Sequence, residues 1–370
     1  MSQTQPMPFI DLAKQQKRIR EKLDHNIKKV LDHGAYIQGS EIGELEKRLA
    51  QYVGVKYCVG MSSGTDALLA PMMAMGIGPG DEVITSPFTF AANAEMIMLL
   101  GAKPVFIDID EKTYNINPSL LEAAITKKTK AIMPINLYGQ CADYNEINAV
   151  ARKHGLSVIE DAAQSFGATY HGKRSCGLST IGATSFFPAK PLGCYGDGGA
   201  CFTDSEELAS KVRKIMNHGQ DGRYNHVVLG INGRLDTLQA AVLHAKMDIF
   251  EDEVKARIRL GSDLSRKLKG ITEVPYVAPH NQSVFAQFTI RVKNRTRFTE
   301  RMSQAGIPTA VHYPKPLHLQ PVCRSLEIPS GRFPYAERVA DEVVSLPFHP
   351  YLDDADLDRI QKAVSMALGE

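Results

Sequence analysis

Lys190 lies in Ser185-Phe-Phe-Pro-Ala-Lys-Pro-Leu-Gly193, a short loop sequence between two apolar runs. A lysine held on such a loop faces a sheet edge, is partly desolvated, and can condense with an aldehyde. Any single lysine is otherwise more often a solvated surface group. Glycines at 193, 196, 198 and 199 give the neighbouring backbone a tight or pliable course, or simply a turn between strands. Asp161 closes the apolar run Val158-Ile-Glu-Asp161, the position at which open α/β sheets place their ligands. A carboxylate there needs a cation or several donors. A protonated ring nitrogen is one such cation, and Gln164 would then donate to a phenolic oxygen on the same ring. The alternative is a helix cap, worth on the order of 1 kcal/mol.

Upstream, Ser62-Ser-Gly-Thr-Asp-Ala-Leu68 follows a strand-like run and opens a helical one, Asp66–Met75. Free backbone N–H groups at Gly64 and Thr65, aided by the helix dipole, would suit a phosphate, and Ser63 or Thr65 would equally serve as an ordinary N-cap. Pro71 inside this helix removes the bond to the Ala67 carbonyl and is expected to bend it. A phosphate cup, a ring-nitrogen carboxylate and an aldehyde-binding lysine, in that order, match the three handles of pyridoxal 5'-phosphate. Freed from the aldehyde, Lys190 would be the general base. Phe90 would cover the ring or else be a core aromatic.

These residues need a frame. The runs Glu82–Thr85, Pro104–Asp108, Ala131–Ile135, Leu156–Glu160, Thr184–Phe187 and Gly199–Thr203 are continuously apolar, as in strands buried on both faces. Helical stretches Thr89–Leu100, Pro118–Ile125, Tyr144–His154 and Ser205–Asn217 alternate with them, which predicts an α/β domain with a mostly parallel sheet. Asp236 and Gln239 read as a capping box before Leu238, Val242, Ala245 and Ile249, and the helical spacing continues through Leu268 with a bend near Phe250–Glu253. Phe285–Val292 alternates like a strand with one exposed face, with helices over about Arg297–Ala305 and Asp354–Leu368 after it. Helices over Leu12–Gly34 and Gly43–Tyr52 pack against one of the two domains. The expected division is an N-terminal segment plus large domain over 1–250 and a smaller α/β domain over 251–370.

Composition narrows the partners. Lys+Arg of 43 against Asp+Glu of 41 leaves a net charge of +2, so nothing argues for nucleic acid or an anionic membrane. Met1–Phe9 lacks a secretory pattern, and no apolar stretch approaches the roughly 20 residues that span a bilayer. The 6 cysteines, with no C-x-x-C pair, read as reduced cytoplasmic thiols and not as a metal site.

Ser63-Gly-Thr-Asp-Ala-Leu68, Glu160-Asp-Ala-Ala-Gln-Ser165, Ser185–Gly193, Gly198-Gly199 and Arg234-Leu-Asp-Thr-Leu-Gln-Ala-Ala241 together resemble the DegT/DnrJ/EryC1/StrS sugar aminotransferases. The likeness extends from Phe9-Ile-Asp-Leu12 to Ser345-Leu-Pro-Phe-His349. It implies the type I, aspartate aminotransferase-like fold and a homodimer with two shared active sites. By position it makes Lys190 the residue joined to the cofactor, Asp161 the partner of the pyridine nitrogen and Gln164 the contact to the ring hydroxyl. Phe90 would stack on the ring. Gly64, Thr65 and Ser185 would hold the phosphate, joined by Asn232 of the partner subunit. A branch of the family dehydrates sugars and usually has histidine at the lysine position; lysine here favours transamination.

Within the family, Leu137–Asp143, His218–Asp221, Asn232–Leu235 and Thr309–Pro314 are similar to members acting on a UDP-linked 2-acetamido-3-oxo-glucuronic acid. That implies L-glutamate as donor, amination at C3, and a sugar for bacterial surface polysaccharide (O-antigen, lipopolysaccharide). Arg234 suits the uronate carboxylate, with His312 and Tyr313 lining the sugar site. Alternatively Arg234 holds the glutamate carboxylate or a structural acid, and His312 only orders the Pro314–Pro316 loop. The rival activities are a C4-aminotransferase of a neutral 4-keto-6-deoxy sugar and, from another class, a regulatory protein that merely holds the cofactor.

Overall fold

The computed structural model describes residues 7–369, so most of the Met1–Phe9 segment lies outside the described residues. The central element is a sheet of seven strands: β1 (Tyr57–Met61), β2 (Glu82–Thr85), β3 (Lys103–Phe106), β4 (Thr129–Ile132), β5 (Ser157–Asp161), β8 (Ile181–Ser185) and β9 (Gly199–Thr203), in the order β1-β9-β8-β5-β4-β2-β3. Two short strands, β6 (Thr169–Tyr170) and β7 (Lys173–Arg174), form a side sheet with β10 (Asn281–Gln282). Pairing is parallel from β8 through β3, while β9 runs antiparallel to both β8 and β1. The C-terminal ends of β1, β2, β5 and β8 therefore emerge at one edge of the sheet. Ser62–Thr65, Thr85–Phe90, Asp161 and Ser185 all sit there.

Helices cover both faces, which is why the strands read as unbroken apolar runs. One face packs α3 (Gly64–Ala74), α4 (Ala92–Leu99) and α7 (Glu206–Ile215), through Leu68, Met72, Ile97 and Val212. The other takes α1 (Leu12–His33), α2 (Ser40–Val53), α6 (Tyr144–His154) and α8 (Thr237–Met247), through Leu23, Leu45, Leu49, Ile147 and Leu243. The N-terminal pair thus packs on the large sheet. A short helix, α5 (Leu121–Ala124), continues a 3-10 turn at Pro118–Leu120. Helix α3 runs through Pro71 to Ala74.

A single long helix after Asp236 is not what forms. Helix α8 ends at Met247, and α9 (Phe250–Leu268) begins after Asp248 and Ile249. The capping box is absent as well: Asp236 makes no side-chain cap. Gln239 accepts instead from the Tyr195 N–H at 2.9 Å and donates to the Tyr195 carbonyl at 3.3 Å, pinning the loop that follows Lys190.

Phe250 and Val254 of α9 belong to the large-domain core, while Leu260, Leu264 and Leu268 belong to another core with α10 (Arg295–Gln304) and α12 (Asp354–Leu368). That second core holds a two-stranded antiparallel sheet of β11 (Phe288–Arg291) and β12 (Val343–Leu346), with α11 (Pro334–Glu342) leading into β12. The strand expected over Phe285–Val292 is shorter and lacks an exposed face, since Phe288, Thr289 and Ile290 are all buried. Phe285 has a positive φ of 45° and lays its ring where a Cβ on Gly261 would stand, so the chain turns before pairing starts. A further cluster, including Phe88, Tyr138, Leu317 and Val339, joins the functional edge of the sheet to the C-terminal segment.

Candidate active site

Lys190 ends a turn closed by its own N–H donating to the Phe187 carbonyl at 2.9 Å. Two further bonds hold the loop to the sheet: Cys194 N–H to the Phe186 carbonyl at 2.7 Å and Phe186 N–H to the Gly198 carbonyl at 2.8 Å. Burial lowers the Lys190 ammonium from its ordinary value, and the charge of Asp161 opposes that without a hydrogen bond between them. A lysine so placed is more readily neutral, the form that attacks a carbonyl.

Asp161 is 6% exposed. Its Oδ1 accepts from the Ala163 N–H at 3.0 Å and its Oδ2 from the Asn93 Nδ2 at 2.9 Å. Burial raises its pKa, opposed by these two donors and by Lys190. The chain after it forms turns and no helix, so Asp161 caps nothing beyond the Ala163 turn. Gln164 is buried with its Oε1 accepting from the Tyr138 N–H at 2.8 Å, which aims its Nε2 at the Tyr313 hydroxyl, 3.1 Å away.

At the start of α3 the Ser63 hydroxyl accepts from the Asp66 N–H at 3.0 Å, the ordinary N-cap. This leaves the N–H groups of Gly64 and Thr65, which as the first of the helix have no intrahelical acceptor. Gly64 is pressed on Ser185: a Cβ there would stand 2.5 Å from the Ser185 Cβ. Helix start and strand end thus form one cradle that only glycine permits.

Phe90 is 57% exposed with its ring 6.1 Å from that of Tyr313, and the core role falls to Phe88 at 1%. His312 bonds the Ser345 hydroxyl through Nδ1 at 3.0 Å, and its carbonyl accepts from the Tyr138 hydroxyl. Burial and the Lys190 charge lower the His312 pKa, so its ring is neutral at neutral pH. The Tyr313 phenol is raised, chiefly by burial and then by Asp161, and stays protonated.

Lys190, Asp161, Gln164, His312 and Tyr313 are thus linked by bonds or charge, with Phe90 against Tyr313. Arg234 and Asn232 form a neighbouring group. The Ser62 N–H donates to the Gly233 carbonyl at 2.8 Å, tying this segment to the cradle, and Asn232 is exposed opposite Asn217. Arg234 donates from Nη1 to the Asn217 Oδ1 at 2.8 Å, while its Nε is buried without a partner. Among the described residues no carboxylate pairs with it, which removes the structural-acid role. Sequence reasoning passed over Asn93, Tyr138 and Asn217, each of which orients a site residue. A buried asparagine within an apolar stretch was the available signal for Asn93.

A pyridoxal phosphate fits this donor set. The cradle at Gly64, Thr65 and Ser185 offers backbone donors and a hydroxyl to a phosphate. Asp161 offers a buried carboxylate to a ring nitrogen, and Lys190 an amine to an aldehyde. Among the described residues no group of His, Cys, Asp and Glu could hold a metal ion, and no helix is long and apolar enough to cross a membrane.

Residues 17–365 match the model of the DegT/DnrJ/EryC1/StrS aminotransferase family. The UDP-2-acetamido-2-deoxy-3-oxo-D-glucuronate aminotransferase of Pseudomonas aeruginosa is 56% identical over 359 residues, covering 96% of this chain and 99% of the relative. A DegT DnrJ EryC1 StrS aminotransferase from Brucella abortus superposes with a TM-score of 0.95 at 44% identity, covering 98% of this chain and 100% of that one. NtdA from Bacillus subtilis, solved with bound cofactor PMP, superposes at 0.89 with 31% identity, covering 95% of this chain and 82% of that one. With the lysine, carboxylate and phosphate cradle in place and the match running almost end to end, the chain belongs to the DegT/DnrJ/EryC1/StrS aminotransferase family.

Proposed function

We propose that the protein transfers the amino group of L-glutamate to the C3 ketone of a UDP-linked 2-acetamido-2-deoxy-3-oxo-glucuronic acid, releasing 2-oxoglutarate. Pyridoxal 5'-phosphate is its cofactor, and when bound it supplies the electron sink that lets a bond at the amino-bearing carbon break. Lys190, largely buried, takes the proton from that carbon in the donor half and returns one to C3 of the sugar in the acceptor half. Asp161 holds a proton on the ring nitrogen by presenting a buried negative charge, and Gln164 presents an N–H to the ring oxygen. The neutral His312 and protonated Tyr313 are hydrogen-bonding groups for the sugar, not competing charges.

The observation that carries the uronate assignment is Arg234, a guanidinium oriented by Asn217 with a buried donor free and, among the described residues, no carboxylate paired with it. Such a group is costly to bury without a partner, and a planar carboxylate is the partner its geometry suits. The Pseudomonas relative carries a uronate substrate in its name.

The active form is a homodimer. Tyr224 and Leu229 on the loop before Asn232 are 76% and 88% exposed, as suits a segment covered by a second copy whose site it completes with Asn232 of the partner subunit. The setting is the bacterial cytoplasm, supported by 6 cysteines that are all free, and the product serves surface polysaccharide.

The test is amination by 15N-L-glutamate of the UDP-3-oxo-uronate and of a neutral nucleotide 4-keto-6-deoxy sugar, followed by mass spectrometry. The uronate should gain the label, and Arg234→Lys should weaken its use by about 10- to 100-fold while sparing a neutral sugar. Label only in the neutral sugar would replace this reading with the C4-aminotransferase.

A further inference from the structure

We infer that Asn93, set by Thr89, is the positioning residue for Asp161, holding its carboxylate for the cofactor's ring nitrogen; this rests on the pyridoxal phosphate reading above. Asp161 ends β5 and Asn93 follows β2, strands separated only by β4, and the two residues are 68 positions apart in sequence. Asn93 is fully buried near the start of α4 and Thr89 is 2% exposed, so neither amide nor hydroxyl has water as a substitute partner.

Every polar atom of Asn93 is assigned. Its Oδ1 accepts from the Thr89 hydroxyl at 3.1 Å, and its Nδ2 donates to the Asp161 Oδ2 at 2.9 Å and reaches the Met133 Sδ at 3.4 Å. The Asp161 carboxylate, which only accepts when ionised, selects the amide N–H end, and the Thr89 hydroxyl donates to the oxygen at the other end and holds the side chain in place. A flipped amide would set its oxygen against the carboxylate, a repulsion in a buried site. With Ala163 N–H on the other oxygen, the carboxylate is held at both ends and keeps its remaining lone pairs for a ligand.

Position and charge are served together. A donor to a carboxylate favours its ionised form, against the burial that raises it. Loss of the Asn93 donor leaves Asp161 to protonate at higher pH, and a protonated Asp161 cannot hold a pyridinium. Phe90 lies between Thr89 and Asn93, so one turn supplies the exposed aromatic ring and the anchor of the nitrogen's partner.

The experiment is titration of the cofactor-free full-length protein with pyridoxal 5'-phosphate, followed by absorbance from pH 6 to 8.5 (a range on the order of the ordinary enzyme window). Wild type, Asn93→Ala, Asp161→Ala and the double variant are compared, with Thr89→Val alongside. Asn93→Ala should bind about 10-fold more weakly or worse, increasingly so as pH falls, and Thr89→Val should lose less. In the Asp161→Ala background neither change should weaken binding further. Wild-type affinity in Asn93→Ala, or the same loss in both backgrounds, would overturn the inference. Should Asn93→Ala not fold, Thr89→Val alone decides by the same comparison. Failure of the wild type to bind overturns the pyridoxal phosphate reading instead, and is told apart by that control.

Discussion

The side-chain amide of Gln164 donates to the phenol of Tyr313 at 3.1 Å, joining positions 149 apart in the sequence. Tyr138 reinforces the link from both sides, since its N–H orients Gln164 and its hydroxyl bonds the His312 carbonyl. The C-terminal segment is therefore fastened to the sheet edge at the candidate active site. Tyr313→Phe leaves a buried amide N–H unsatisfied, at a cost of about 1–3 kcal/mol. Urea unfolding should register that loss, and steady-state kinetics should show a larger rise in the sugar KM than in the glutamate KM.

Gly64→Ala tests the phosphate cradle. A Cβ there meets the Ser185 Cβ at 2.5 Å, so the helix start or the strand end must shift. Overpacking of this kind costs about 1–3 kcal/mol. The variant should fold, unfold at a somewhat lower temperature, and bind pyridoxal 5'-phosphate far more weakly than pyridoxal without phosphate would lead one to expect. Equal loss for both ligands in a spectral titration would place the damage elsewhere.

Glu160, next to Asp161, is buried against the N–H groups of Cys176 and Leu178, the Ser175 hydroxyl and the Asn136 amide. Burial outweighs these donors and pushes its carboxyl from 4.5 up to about 7. Between those values the folded state keeps a proton that the unfolded chain releases, so this group's contribution to stability falls as pH rises and is lost once pH passes about 7. Denaturant midpoints of wild type and Glu160→Gln should differ more at pH 5 than at pH 7.5 (each about half a unit inside or past that window). The variant, less stable at the lower pH through a lost Leu178 contact, should close the gap at the higher one.

Much of this frame was legible in the sequence because its signals are local. Runs buried on both faces gave β2 and β9 at their observed bounds, and α6 and α12 likewise. Chemical type placed Lys190 on a loop and Asp161 at a strand end. What escaped depends on contacts distant in sequence. Gln239 has the spacing of a cap partner, yet the backbone of Tyr195 competes for it and wins. Phe285 has the type of a strand residue, but the bare surface of Gly261 draws its ring and turns the chain. Asn93 and Tyr138 act through Asp161 and Gln164, and no pattern along the chain reveals an orientation set by the fold.

Leu229→Asp tests the shared site. The residue is 88% exposed, so a charge there costs the single chain little. Sedimentation should shift from dimer toward monomer, with activity falling in parallel and restored partly at high protein concentration. A dimer that persists with full activity would remove this loop from the interface.

The most direct test of the central claim is the absorbance spectrum of the purified protein with pyridoxal 5'-phosphate, before and after L-glutamate, beside Lys190→Ala. The account predicts a visible band in the wild type that glutamate converts to the shorter-wavelength band of the aminated cofactor, with 2-oxoglutarate released in proportion, and neither change in the variant. A wild-type spectrum that glutamate leaves untouched, or a variant that responds as the wild type does, would contradict it.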